Sequence, residues 1–168
     1  MARVVTKIGD VFSVKITENT KKYFQLIAFD LTQLNSDVIR AFKKQYAINE
    51  NPTMSEIIQD EVDFYAHCIT KSGVKMGCWE KAGHIKEIGQ LEYILFRDTN
   101  DYGVWINDEP IRVSQNWYVW RINDENFTRV GKLIGENCKA EIGVVINPNS
   151  IVQRIKTGKY DFFYPDFE

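Results

Sequence analysis

Gly9-Asp10-Val11-Phe12-Ser13-Val14-Lys15-Ile16, a polar turn, and then Lys22-Tyr23-Phe24-Gln25-Leu26-Ile27-Ala28-Phe29-Asp30 form the stretch that decides the fold. The first run alternates. Phe12, Val14 and Ile16 point one way and Val11, Ser13 and Lys15 the other, the period of two of a half-buried strand. The second run is apolar on both faces, as expected of a strand covered on both sides. Thr17-Glu18-Asn19-Thr20-Lys21 between them supplies a polar connection. A β-built domain therefore begins within the first turns of the chain.

The remaining chain is read outward from this hairpin. Ser36 to Tyr46 predicts a helix: Ser36 is a natural N-cap, Val38, Ile39, Phe42 and Tyr46 recur at helical spacing, and Lys43 and Lys44 fall in the last turn. A second, shorter helix is announced by Thr53-x-x-Glu56, which has capping-box form. Asn51 as N-cap with Pro52 at the first position is the alternative start. From Glu61 the period changes to two, with Val62, Phe64, Ala66 and Cys68 on one face and Glu61, Asp63, Tyr65 and His67 on the other. Ser72-Gly73 reads as a tight turn and Val74 to Glu80 as the returning strand. Further strands are expected at Leu91–Phe96, Gly103–Ile106, Ile111–Val113, Trp117–Ile122, Phe127–Val130 and Glu141–Ile146. A last helix is capped by Asn147, opened by Pro148 and stopped by Gly158. The sum is one α+β domain over residues 1–168: an antiparallel sheet, curled or barrel-like, with two or three short helices.

Composition narrows the function classes. The net charge is −2 over 168 residues, so the basic footprint of a duplex-binding protein is missing and no nucleic-acid partner is expected. No run approaches the ~20 apolar residues that span a bilayer, so no membrane association is expected. The first residues carry no apolar leader, and three cysteines (Cys68, Cys78, Cys138) without C-x-x-C spacing fit reduced thiols; both point to a cytoplasmic protein.

Chemistry has one candidate location. A two-residue turn at Ser72-Gly73 sets His67 opposite Cys78 and Tyr65 opposite Glu80, with facing Cβ atoms about 5 Å apart. A thiol beside an imidazole is the minimal device for a nucleophile, with Glu80 available for acid–base work; a small hydrolase using His67 with Cys78 or Glu80 is therefore the alternative reading. The plainer account is that an alternating strand must have a polar face. Asp98, Asp101 and Asp108 lie in turns that lack the remaining ligands of a calcium loop, and no zinc spacing occurs, so neither metal nor cofactor is expected. Gly131-Lys132-Leu133-Ile134-Gly135 has its lysine and second glycine misplaced for a phosphate loop. Trp117 to Ile122 must bury one of its faces. The aromatic C-terminus, Tyr160 to Phe167, either closes the core, the preferred reading, or completes a surface for another chain.

Ile8-Gly9-Asp10-Val11-Phe12, the polar turn and Lys22-Tyr23-Phe24-Gln25 resemble the start of a bacterial immunity-protein family, the one numbered twenty-six among those of polymorphic toxin systems. The resemblance implies a small cytoplasmic protein that binds and neutralises a cognate toxin without chemistry of its own. The polar strand face of Glu61, Asp63 and Tyr65, with Glu80, is the candidate surface for that partner, because an acidic face would steer a toxin whose own site binds anions.

Overall fold

The computed structural model describes residues 2–168. Along the chain run β1 (Asp10–Lys15), β2 (Thr20–Asp30), β3 (Ser36–Phe42), β4 (Tyr46–Ala47), α1 (Met54–Ile58), β5 (Val62–Cys68), α2 (Thr70–Lys75) and β6 (Glu80–His84). They are followed by β7 (Leu95–Thr99), β8 (Trp105–Ile106), β9 (Glu109–Pro110), β10 (Trp117–Arg121), β11 (Thr128–Gly131), a 3-10 turn (Gly135–Lys139), β12 (Glu141–Ile142) and α3 (Pro148–Thr157). The first sheet has the order β5-β3-β2-β1-β6, with β4 beside the start of β2, and the second has the order β11-β10-β7-β12. All pairings are antiparallel except β12 on β7. The fold is α+β with mainly antiparallel sheets, and among the described residues no barrel closes.

The opening hairpin forms as its pattern requires. Phe12 pairs with Phe24 across the strands and their rings stack at 5.1 Å. Phe24 and Leu26 point into a core closed by Ile151 and Ile155 of α3. A bulge between Leu26 and Ala28 then turns both Ile27 and Ala28 to the other face, where they meet Phe96 and Trp120 of the second sheet. Sheet one is thus covered by a helix on one side and a sheet on the other, which is why β2 is apolar on both faces.

The helix expected over Ser36–Tyr46 is a pair of strands instead. β3 lies between β2 and β5, and Val38, Ile39, Arg40, Ala41 and Phe42 are all buried. Burial on both faces erases the period of two, and the surviving apolar spacing imitates a helix. Asn35, with φ of +47°, makes the reversal from β2. The hairpin expected around Ser72-Gly73 is also absent. Residues 70–75 form α2, and the next strand, β6, starts at Glu80 and pairs with β1 on the opposite edge of the sheet from β5. Trp79 drives this arrangement: its Nε1 donates to Thr70 O at 2.9 Å and its ring lies directly against Gly73, where any side chain would collide.

Two helix ends match their signals. Thr53 and Glu56 form the reciprocal capping box of α1, so Thr53, not Asn51, is the N-cap. Asn147 caps α3, Pro148 opens it, and Gly158 ends it in the left-handed conformation at φ +82°. The strand expected at 91–96 lies later, in β7, while Ile111–Val113 contributes only a single bridge from Val113 to Asp166. The aromatic C-terminus packs inward: Tyr160 and Phe162 join the α3 core, and Tyr164 and Phe167 cover Trp117 and Val119 on the outer face of the second sheet. Segment 141–146 joins the two sheets. Gly143 N donates to Arg97 O of β7 at 2.7 Å, and Ile146 N donates to His67 O of β5 at 2.8 Å. No helix of the described residues is long and apolar enough to cross a membrane.

Candidate functional site

β5 is an edge strand of the first sheet, and its outward residues face the joint with the second sheet. Asp63 and Tyr65 line a groove of about 520 Å³ there, together with Tyr93, Arg121, Lys139 and Glu141. Tyr93 is 77% exposed at this groove, the most exposed aromatic among the described residues. Burial pushes the Tyr65 hydroxyl pKa up, with Arg40 opposing it. Burial also raises the Glu141 carboxyl, against the bidentate grip of Arg154 at 3.0 and 3.4 Å. The groove therefore offers three carboxylates (Asp63, Glu136 and Glu141), two cations and two phenols on a surface of mixed sign, which suits recognition of a polar, charged protein surface.

The other two residues read as partner-binding stand apart. Glu61 precedes β5, outside the groove, and pairs with Lys43 on the surface. Glu80 opens β6 opposite Ser13, at the far edge of the sheet. Of the four, the fold unites Asp63 and Tyr65.

The proposed His67–Cys78 and His67–Glu80 pairings are corrected by the same topology. His67 lies opposite Val38 in the β3–β5 ladder, wholly buried against the Phe96 ring at 4.2 Å. Strict alternation would have put it on the polar face, but segment 143–146 and the second sheet cover this end of β5 on that side. Cys78 sits in the loop after α2, its Sγ 3.4 Å from Asn149 Oδ1, and burial raises its pKa. The three residues share no site.

His67 has different neighbours. Its Nδ1 is 2.9 Å from Ser36 Oγ, and its Nε2 is 3.8 Å from Asp30 Oδ2. Desolvation, only partly offset by Asp30, lowers the imidazole pKa to about 4, so the ring is neutral at pH 7. Hydroxyl, imidazole and carboxylate thus stand in a row, yet Ser36 is only 4% exposed and the other two not at all. The Asp30–His67 separation exceeds a hydrogen bond, and neither facing atom has another partner. Asp30 spends its other oxygen on the Thr32 and Gln33 amides of the turn after β2. The row ties the ends of three strands together and presents no nucleophile at a surface. Sequence reasoning missed Ser36 and Asp30 because only the β2–β3–β5 pairing brings them to His67.

Two of the three turn carboxylates are occupied within the fold, and Asp108 lies exposed in the β8–β9 turn. Asp98 accepts from the Tyr164 and Tyr118 hydroxyls at 2.8 and 3.2 Å, and Asp101 from Ser114 and Asn116 at 2.7 and 3.2 Å. Among the described residues no group of three or more His, Cys, Asp or Glu side chains is placed to hold a metal ion. Comparison with known proteins finds no match: no family model fits the chain, and neither a curated protein nor a solved structure is similar to it.

Proposed function

We propose that this chain is a non-catalytic binding protein of the immunity type, which occludes a cognate bacterial toxin in the cytoplasm. The observation that carries the reading is Tyr93, largely exposed to solvent at a groove whose wall holds Asp63 and Tyr65. An exposed aromatic ringed by polar and charged groups is the composition of an interface anchor, able to bury a large area at small entropic cost. Asp63 and Glu136 at the rim give the acid needed to meet an anion-binding toxin, and the opening hairpin supplies the family resemblance.

The test is affinity capture from the native host with the tagged wild type and with Tyr93→Ala and Asp63→Lys. A stoichiometric toxin chain held by the wild type and released by both variants is the expected result. Undiminished capture by the variants removes the groove from the interface, and a wild-type column holding no toxin overturns the reading itself.

A further inference from the structure

The ribbon of β8 and β9 stands apart from both layers as a sheet of its own. It is nonetheless firmly shaped. Trp105 pairs with Pro110 and Ile106 with Glu109, Ile111 N donates to Val104 O at 3.0 Å, and Asn107 and Asp108 take positive φ of +51° and +63°. Two such residues make the tight two-residue turn that matches the twist of a hairpin. Its apolar side chains serve no core: Val104, Trp105 and Ile106 belong to none of the buried clusters, and Trp105 is 64% exposed. A two-stranded ribbon is marginal in water by itself, so an ordered one with a bare tryptophan has the character of a contact arm. The tip is also acidic. Asp108 and Glu109 are exposed and make no ion pair among the described residues, and Arg112 is the one cation between residues 98 and 116.

The other end of the molecule has the complementary character. Two adjoining cavities, of about 580 and 340 Å³, share Arg3, Val4 and Lys71 in their walls. Lys75 lines the larger, and Val5 and Leu31, both more than half exposed, line the smaller. Arg3, Lys71 and Lys75 make no ion pair among the described residues. The one carboxylate in the lining, Asp37, accepts from the Thr70 amide and hydroxyl. Leu31 N donates to Asn123 Oδ1 at 2.8 Å, beyond the last residue of β10, whereas the ribbon leaves β7 after Thr99 and returns to the first residue of β10, Trp117. The two surfaces therefore lie at opposite ends of the second sheet, and the ribbon cannot reach the cavity of its own chain.

We propose that this chain self-associates head to tail, the β8–β9 ribbon of one copy seating Trp105 in the Arg3–Lys75 cavity of the next, with Asp108 and Glu109 against its cations. A tryptophan in an apolar pocket ringed by opposite charge is the composition of an interface anchor. Two ribbons are not each other's counterpart, because their acidic tips repel. Since the two surfaces differ, the contact is heterologous and repeats until a ring closes or a row of copies grows. The groove of Asp63 and Tyr65 shares no residue with either surface, so the inference stands apart from the toxin-binding reading.

The test is sedimentation equilibrium of the whole chain at about 10–500 μM and about 50 mM salt, conditions that reveal a small interface and leave surface charge little screened. The mean mass should climb with concentration. One variant is Trp105→Ser, which removes the anchor; the other combines Lys71→Glu with Lys75→Glu, which reverses the rim. All three positions are exposed, so both variants should unfold at wild-type urea concentrations. Each alone should associate at least about tenfold more weakly. Mixed in equal amounts they should form pairs and stop there, because the intact ribbon of one meets the intact cavity of the other and no further contact remains. A wild type that stays single over this range overturns the proposal. So does association that either variant leaves unchanged, or a mixture that stays single or grows past pairs.

Discussion

Ser36 Oγ stands 2.9 Å from His67 Nδ1 in the buried layer between the two sheets, while His67 Nε2 faces Asp30 across 3.8 Å. Because desolvation lowers the ring's pKa from 6.5 to about 4, the unfolded chain takes up a proton that the folded one refuses over that interval. Stability is therefore complete above pH ~6.5, falls as the pH drops towards 4, and loses roughly 3 kcal/mol over the window. Other groups act lower or with opposite sign. Burial raises the Asp10 carboxyl, but the Lys7 amide, Lys81 and His84 outweigh it and leave it below the usual range, so its share disappears only in stronger acid. Burial raises Asp98 and Glu141, which slightly favours the fold as acid is added. Urea unfolding at about pH 7 and about pH 5.5 isolates the histidine, and His67→Gln should flatten the difference. A wild type equally stable at both would contradict the buried neutral ring.

How much of this was legible in the sequence follows from which residues meet neighbours and which meet distant strands. The hairpin of β1 and β2, the Thr53 capping box and the Asn147–Gly158 helix rest on contacts a few residues apart, and the residue types announce them. β3 was concealed because Val38 to Phe42 are buried on both faces, so their pattern reports total burial and no period. Gly73 was misread because a glycine signals a turn, whereas here it clears space for the ring of Trp79. Alternation puts Asp63 and Tyr65 on one face of β5, and the groove lies on that face; Tyr93 carries no such signal, since its setting is made by the packing of the two sheets.

Thr53→Ala should cost about 1 kcal/mol, whereas Thr53→Ser keeps the capping hydroxyl and should stay at wild-type stability. The Thr53 hydroxyl accepts from the Glu56 amide at 3.2 Å, and the Glu56 carboxylate accepts from the Thr53 amide at 2.7 Å. α1 is only five residues long, so it has few other contacts to hold it, and Ile57 is the residue it buries. Equilibrium urea unfolding of the two variants decides it; equal stability of both with the wild type would mean that Ile57 alone keeps the helix in place.

Gly73→Ala sets two opposing effects against each other. Alanine inside a helix gains roughly 0.5–1 kcal/mol over glycine. Against this, the new methyl group would overlap the ring of Trp79, which is 2% exposed and anchored by its bond to Thr70 O. Overpacking of this kind costs ~1–3 kcal/mol, so a net loss is expected. Trp79→Phe in the same chain shortens the ring and should make the added methyl tolerable, a coupling that a double-mutant cycle measures. A stabilised single variant would show that the ring moves freely.

Cys78 distinguishes a structural thiol from a reactive one. Burial raises its pKa, its Sγ faces the Asn149 amide oxygen, and no histidine lies beside it to stabilise a thiolate. Only the thiolate alkylates, so its reaction with iodoacetamide should be slow at neutral pH and keep accelerating with pH beyond ~8.5, the ordinary thiol value. Cys68 is fully buried, with its pKa pushed up further, and should stay protected while the chain is folded. Peptide mapping after timed alkylation reads the sites separately. A Cys78 rate that levels off below pH ~8 would place a cation next to the sulfur and return the residue to the list of nucleophiles.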